Sequence, residues 1–465
     1  MIINGESLEQ LKLMEENSID HIITDPPYLI DFMGKKWDSA DNIAGSVDFW
    51  KEALRVCKDG SYALVFGHSR THHRVMAAIE DAGWEIRDCL MWLQGQGFPK
   101  SHELGAKIDK AKGLIGHRGK RVKHQHGHEH LDKPEAIKKH EPISAEAKEW
   151  SGWGENLKPA YEPIIMARKP FKGSLTNNVL INKTGALNID ACRVGTEVMP
   201  ARETKTETTG IGWEKHGYTS PQTTGRHPSN VILSHSEGCR KIGETTETII
   251  GGNKGSSGFV NGYESGDFTK IESPVELYYC EEGCPVKLID QQAPKTGNAF
   301  TATRKKKTSG GSGNSWTNNG KEEGQTNGVY DGLGGASRFF YVAKVSSKER
   351  NFGCEELPQR QTIGGGGTET DIAGAYGSVK SKSGNHHPTL KPIELMKYLV
   401  KLVSREGQTI LDPFTGSGST GIAAELLDRN FIGIEMDADY CEIAEKRISA
   451  WKEKENKTID EETET

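Results

Sequence analysis

Ile19-Asp20-His21-Ile22-Ile23-Thr24-Asp25-Pro26-Pro27-Tyr28 is the stretch whose reading decides the fold. Ile19, Ile22 and Ile23, set against two turn-forming prolines, read as a short buried strand of an α/β sheet. Proline has no N–H for a sheet ladder, and Pro27 also holds Pro26 extended, so the strand stops there. The corner that follows carries a carboxylate (Asp25), a main-chain carbonyl (Pro26) and an aromatic face (Tyr28). An exocyclic amino group on a flat base could use all three: two acceptors for its hydrogens and a ring to stack on. The bland alternative is a strand-to-turn junction with an incidental tyrosine.

A second anchor lies towards the other end, at Thr409-Ile410-Leu411-Asp412-Pro413-Phe414-Thr415-Gly416-Ser417-Gly418-Ser419-Thr420. A short apolar strand enters a Gly-x-Gly turn, and Ser419 to Leu427 then reads as a helix. Glycine is required where backbone approaches a ligand closely or takes positive φ. A second strand, Phe431-Ile432-Gly433-Ile434-Glu435, ends in an acid. Strand, glycine turn, helix, strand and acid form the layout of a nucleoside-binding unit in which the acid takes ribose hydroxyls. The third glycine of the dinucleotide fingerprint is missing, so an adenosyl ligand without pyrophosphate fits better than NAD.

Working outward, Met1 to Gly5 reads as a strand and Ser7 to Met14 as a helix. Asp31 to Ile43 is polar, a candidate mobile loop. Helices over Val47–Cys57 and Thr71–Ala82 alternate with strands over Tyr62–Phe66 and Ile86–Leu93, which implies a mostly parallel, doubly wound sheet. Lys100 to Gly154 breaks the rhythm with a polar, histidine-rich insertion, and Glu162 to Ala167 resumes a strand. Gly173 to about Gly335 is irregular, with short strands such as Asn230–Leu233. Thr296 to Gly335 is close to low complexity and holds the basic cluster Arg304–Lys307. A second glycine-rich stretch, Gly364 to Gly384, precedes a helix over Pro392–Ser404. The last helix spans Tyr440 to Trp451. The chain then stops where an unpermuted fold would add a strand and a helix, and residues 1–14 supply such a pair. A circularly permuted domain follows, with both corners at the carboxyl ends of adjacent strands.

The expected organisation is thus residues 1–99 and 346–465 as two halves of one domain, 100–154 as a basic insertion, 155–172 as a strand returning to the sheet, and 173–345 as an irregular inserted region. At 465 residues one compact core is too little, and about two or three modules are expected. The net charge is −6, but a local basic strip can still bind nucleic acid, and Lys100 to His140 carries eleven Lys/Arg against five Asp/Glu. The acidic tail Ile459–Thr465 reads as a solvated, disordered end. No apolar run approaches membrane-spanning length, and the start of the chain lacks a signal-peptide pattern; a cytoplasmic protein is expected. Its eight cysteines are then expected reduced or metal-bound.

Asp25-Pro26-Pro27-Tyr28 and Asp412-Pro413-Phe414-Thr415-Gly416-Ser417-Gly418, in this order, resemble the β class of amino-group DNA methyltransferases that use S-adenosylmethionine. His387-Pro388-Thr389-Leu390-Lys391-Pro392 agrees with that resemblance. Phe98–Ser101, Leu157–Ala160 and Ser337–Tyr341 are similar to segments of larger methylases carried by phages and prophages. The resemblance implies a Rossmann-like methyltransferase sheet with 173–345 as target-recognition region. It implies transfer of a methyl group to the N6 amino group of adenine in a flipped-out DNA base, because Asp begins the tetrapeptide more usually in adenine enzymes and Ser in N4-cytosine enzymes. N4-cytosine methylation is the alternative, and a catalytically silent DNA-binding protein of the same fold a further one. DNA is the expected partner. A cognate restriction nuclease and the oligomeric state are left open.

Asp25 and the Pro26 carbonyl would draw the amino nitrogen towards tetrahedral geometry, Pro27 would hold the corner, and Tyr28 would stack on the base. The backbone around Pro413, Phe414, Gly416 and Gly418 should approach the methionine part of the cofactor, and Glu435 the ribose. The resemblance adds Asp412, Thr389 and Lys391 to that pocket, although Asp412 also reads as a turn residue. Cytosine-C5 chemistry would need a nucleophilic cysteine after a proline, and Gly283-Cys284-Pro285 has the order reversed. Finally, His235-x3-Cys239 and Cys280-x3-Cys284 offer four ligands in two pairs, a candidate structural zinc site set against four separate reduced residues. The run His124, His126, His128, His130 reads as a solvated segment.

Overall fold

In the computed structural model, described residues are 1–30, 38–39, 42–94, 103–114, 141–157, 159–199, 223–235, 239–251, 269–280, 341–343, 349–358, 360–362 and 381–463, with scattered positions in 202–220 and 284–289. The histidine run, the low-complexity stretch with its basic cluster, most of the loop after Tyr28 and most of 364–384 lie outside them.

Nine strands form one sheet: β1 (Ile2–Asn4), β2 (His21–Thr24), β3 (Tyr62–Phe66), β4 (Glu85–Leu93), β5 (Tyr161–Arg168), β6 (Val231–Ser234), β7 (Tyr341–Ala343), β8 (Thr409–Asp412) and β9 (Asn430–Glu435). Their spatial order is β1-β9-β8-β2-β3-β5-β4-β6-β7. All neighbours run parallel except that β5 is antiparallel to both β3 and β4. The expected permutation is present: β1 pairs with β9, Ile3 opposite Ile434, so the first strand completes the edge of the sheet beyond the glycine corner. β2 and β8, the strands of the proline and glycine corners, are direct neighbours, with Leu411 opposite Ile22.

A sheet covered on both faces needs apolar side chains at successive positions, because each residue points to the opposite side from the last. β3 and β5 are built this way. Leu64, Phe66, Ile164 and Met166 enter one core with the helix Ile393–Val403. Ala63, Val65, Ile165 and Ala167 enter the other, with the helices Val47–Val56 and His72–Asp81. Trp50 is wholly buried, and its indole N–H donates to the Ala44 carbonyl at 2.9 Å, satisfying the one polar atom it buries.

Residues 96–160 form a compact unit by themselves. Within it the buried Asp109 accepts hydrogen bonds from the Ile143 and Ser144 N–H groups and from the Ser144 hydroxyl, tying the helix Leu104–Ala111 to the start of Ala145–Glu149.

Two departures from the sequence reading stand out. The last helix runs from Ala438 to Thr463, through most of the acidic tail read as disordered. Lys and Glu alternate there in a run of good helix formers, and propensity carries the helix on. The region 173–345 also holds a long antiparallel hairpin, Arg240–Gly251 with Thr269–Tyr279, and gives the strands Val231–Ser234 and Tyr341–Ala343 to the main sheet.

Candidate active site

Because β2 and β8 are adjacent and parallel, their carboxyl ends open side by side. The link is direct: the Thr24 hydroxyl, one residue before Asp25, donates to Asp412 Oδ1 at 2.6 Å. Asp412 Oδ2 accepts from the Thr420 hydroxyl at 2.6 Å, and the Phe414 N–H donates to Oδ1 at 3.1 Å. Burial pushes the Asp412 carboxyl up to about 6, with these three donors working against the shift. Its two oxygens are thereby turned into the protein, so Asp412 shapes the glycine turn and splices it to the proline corner. Asp412→Ala should lower stability by roughly 2–4 kcal/mol, since two hydroxyls and an N–H lose their buried acceptor. Urea unfolding, with the Thr24→Val/Asp412→Ala pair as a non-additive control, measures it.

The rest of the glycine corner is fixed from several elements. Gly416 and Gly418 have φ of +51° and +80°, which a side chain would strain. A Cβ at Gly418 would lie 3.0 Å from that of Ala444, and one at Gly416 only 2.8 Å from Nε2 of His387. These glycines are needed for their backbone angles and for packing against protein. The Pro413 carbonyl accepts from the Ser7 hydroxyl at 2.5 Å, and the half-buried Phe414 ring sits 5.2 Å from Phe49. Arg447, fully buried, donates to the Ser417 carbonyl and clamps the turn from the last helix. Glu435 closes the corner: one oxygen accepts the Gly416 N–H and the other the Asp437 N–H, each at 2.9 Å. Thr389 is exposed, its carbonyl 2.6 Å from Nδ1 of His387, a ring that burial pushes down to about 4 and so keeps neutral.

The proline corner holds an ionic cluster. Lys391 Nζ lies 2.6 Å from Asp25 Oδ2 and 3.4 Å from Glu162, and donates to the Tyr28 hydroxyl at 3.0 Å. That hydroxyl donates in turn to Glu162 Oε2 at 2.8 Å, while Gln94 donates to Glu162 Oε1. Burial alone would lower the Lys391 pKa, but the carboxylates of Asp25 and Glu162 more than offset this and raise it. Tyr28 is pushed well above its ordinary value by burial and by the same two carboxylates, so it stays a phenol. The other Asp25 oxygen, Oδ1, is screened from solvent and accepts no hydrogen bond among the described residues.

The bend after Tyr28 is strained and held. Leu29 has φ of +59°, the Asp38 carboxylate accepts its N–H at 2.9 Å, and the Thr71 hydroxyl donates to the Tyr28 carbonyl. Pro26 and Pro27 lie in this corner as the sequence order requires. Lys391, which the resemblance put with the cofactor, touches the proline corner through Asp25 and Tyr28. Glu162, Gln94, Thr24 and Arg447 were not singled out from sequence, and only Glu162, a lone acid opening an apolar strand, left any signal there.

A family model described as DNA methylase, covering N6 and N4 enzymes, matches residues 19–446. The chain belongs to the N6/N4 DNA methylase family. This methylase is similar to the type II methyltransferase M2.DpnII of Streptococcus pneumoniae, 48% identical over 67 residues, which are 14% of this chain and 25% of that protein. It is also similar to M.HindIII of Haemophilus influenzae, 27% identical over 228 residues, 40% of this chain and 64% of that one. The methylase therefore spans between 25% and 64% of the length of these curated relatives. Among solved structures, the PvuII DNA methyltransferase (cytosine-N4-specific) covers 99% of the chain and is itself covered to 92%, at 12% identity and a TM-score of 0.37. The M1.HpyAVI–SAM complex has 13% identity, a TM-score of 0.34 and coverage of 96% and 98%. Likeness at that level says nothing of which base is modified. Among the described residues no helix is long and apolar enough to cross a membrane.

Proposed function

We propose that this methylase transfers a methyl group from S-adenosylmethionine to the N6 amino group of adenine in DNA, at one short recognition sequence. The observation that carries the reading is Asp25 Oδ1, screened from solvent and without a hydrogen bond among the described residues, one residue from the Thr24 hydroxyl that joins this corner to the glycine corner. A buried carboxylate oxygen without a donor is costly, and an arriving N–H group relieves that cost.

The glycine corner fits an adenosyl cofactor by its donor set. Each Glu435 oxygen accepts one backbone N–H and keeps a second lone pair for a ribose hydroxyl. When bound, S-adenosylmethionine supplies an electrophilic methyl group already activated by its sulfonium. The protein's task is then orientation. In adenine the amino lone pair is delocalised into the ring. Hydrogen bonds from the amino group to Asp25 Oδ1 and the Pro26 carbonyl would favour tetrahedral nitrogen and free that pair. The Tyr28 ring, held by its bond to Glu162, would stack on the base. As it stands the pocket is closed over Oδ1 and must open to admit a flipped base.

Asp at the head of the tetrapeptide supports adenine over cytosine. The relatives' type II naming makes a cognate restriction nuclease the partner to look for. Expression in a methylation-deficient host, with single-molecule sequencing of its DNA, tests the whole reading. N6-methyladenine at every copy of one short motif is the expected result. N4-methylcytosine would correct the base, and cofactor binding without any DNA modification would overturn the enzyme assignment.

A further inference from the structure

The ends of β6 and of the hairpin beside it bring four soft ligands together. His235 directly follows β6. Cys239 and Cys280 flank the foot of the hairpin, where Arg240 pairs with Tyr279, and Cys284 follows Cys280 by four positions. The ligand atoms of all four lie within 4.8 Å of one another. His235 Nδ1 is 3.4 Å from the Cys280 sulfur and 3.6 Å from that of Cys284. A tetrahedral zinc ion with Zn–S near 2.3 Å and Zn–N near 2.05 Å puts its N···S edges at about 3.6 Å. The side chains therefore stand at the spacing that a metal ion would impose.

We propose that His235, Cys239, Cys280 and Cys284 form a structural zinc centre that clamps the foot of the hairpin to the end of β6. None of the eight cysteines is in a disulfide, so all three thiols are available as ligands. Among the described residues the apolar cluster at this place has Leu233, Cys284 and Val286 as its buried members, with Leu93, Val231 and Ile289 partly buried against it. A metal staple at the foot would add to that cluster in holding a hairpin with strands of 12 and 11 residues. Three thiolates and a neutral imidazole leave the centre at −1, and Lys287, whose ammonium donates to the Cys280 carbonyl at 3.3 Å, places a compensating charge beside it. Four protein ligands with no open position make the centre structural, apart from the methyl-transfer chemistry.

The test uses the full chain, purified without metal-affinity resin. Elemental analysis should find one zinc per chain, and cobalt(II) exchanged into it should give the thiolate charge-transfer band and intense visible bands of tetrahedral coordination. Cys280→Ser should lower zinc content roughly tenfold or more and open 239–284 to limited proteolysis. His235→Cys, which keeps four donors, should retain the metal where His235→Ala loses it. This guards against a simple folding failure. Protein that takes up neither zinc nor cobalt, a Cys280–Cys284 disulfide in the intact mass, or full zinc retention by Cys280→Ser/Cys284→Ser would each overturn the proposal. None of these measurements depends on methyl transfer.

Discussion

Asp25→Ala should reduce methyl transfer by about 10³-fold while the methyl donor binds with nearly unchanged affinity. On the proposed reading Asp25 faces the nucleobase: one of its oxygens is paired with Lys391, and the other accepts no hydrogen bond among the described residues and would take the amino group. Its removal takes away the acceptor that is stronger in the transition state than in the ground state, and such losses fall on kcat. The glycine corner keeps its own supports, since Asp412, Ser7 and Arg447 hold it independently of Asp25. Single-turnover methylation of a duplex carrying the mapped site measures the rate, and calorimetry the cofactor affinity. Equal loss of both would show that Asp25 holds the cofactor and not the base.

Lys391→Met should cost on the order of 10²-fold in kcat. The ammonium lies 4.8 Å from the centre of the Phe66 ring and 5.4 Å from that of Tyr28, enclosed and charged. Methionine fills similar volume without the charge, leaving Asp25 and Glu162 with no cation between them. Removing one member of a buried ionic cluster costs about 3 kcal/mol or more, because the remaining charges stay desolvated. We expect Asp25 to swing from its position and the Tyr28–Glu162 bond to loosen. The double variant Asp25→Ala/Lys391→Met should be no slower than Asp25→Ala alone, since Lys391 acts through the Asp25 carboxylate that the first substitution removes. Lost cofactor affinity with kcat preserved would instead return Lys391 to the pocket that the resemblance gave it.

Both corners were legible in the sequence because proline and glycine act locally. Pro26 and Pro27 end a strand whatever surrounds them, and Gly416 and Gly418 take backbone angles that other residues resist. The largely parallel sheet was legible because strands such as Tyr62–Phe66 alternate with helices of crossover length. Glu162 was not legible, since its place in the cluster depends on the direction of β5, and periodicity is the same whichever way a strand runs. The contacts of Lys391 with Asp25 and Tyr28 were not legible either, because a motif fixes residue order but not what a long side chain reaches. The first strand of the hairpin after Cys239 was hidden by composition, since Glu244-Thr245-Thr246-Glu247-Thr248 carries no apolar residue; the alternation in the returning strand, at Val275-Glu276-Leu277, was present but was not singled out. The four zinc ligands were visible by residue type, although their convergence depends on a strand pairing that their spacing does not contain.

The strand that runs against the rest has one more effect. In a parallel sheet each strand offers its exit to the reactive rim, but β5 offers its entrance, and so Glu162 arrives there just as the chain returns. Gln94, at the exit of β4, is hydrogen-bonded to it across the gap. Departure and return are thus stitched together at the rim itself, like the two sides of a socket. The chain between them leaves and rejoins the sheet at a single pinned point, Gln94 against Glu162.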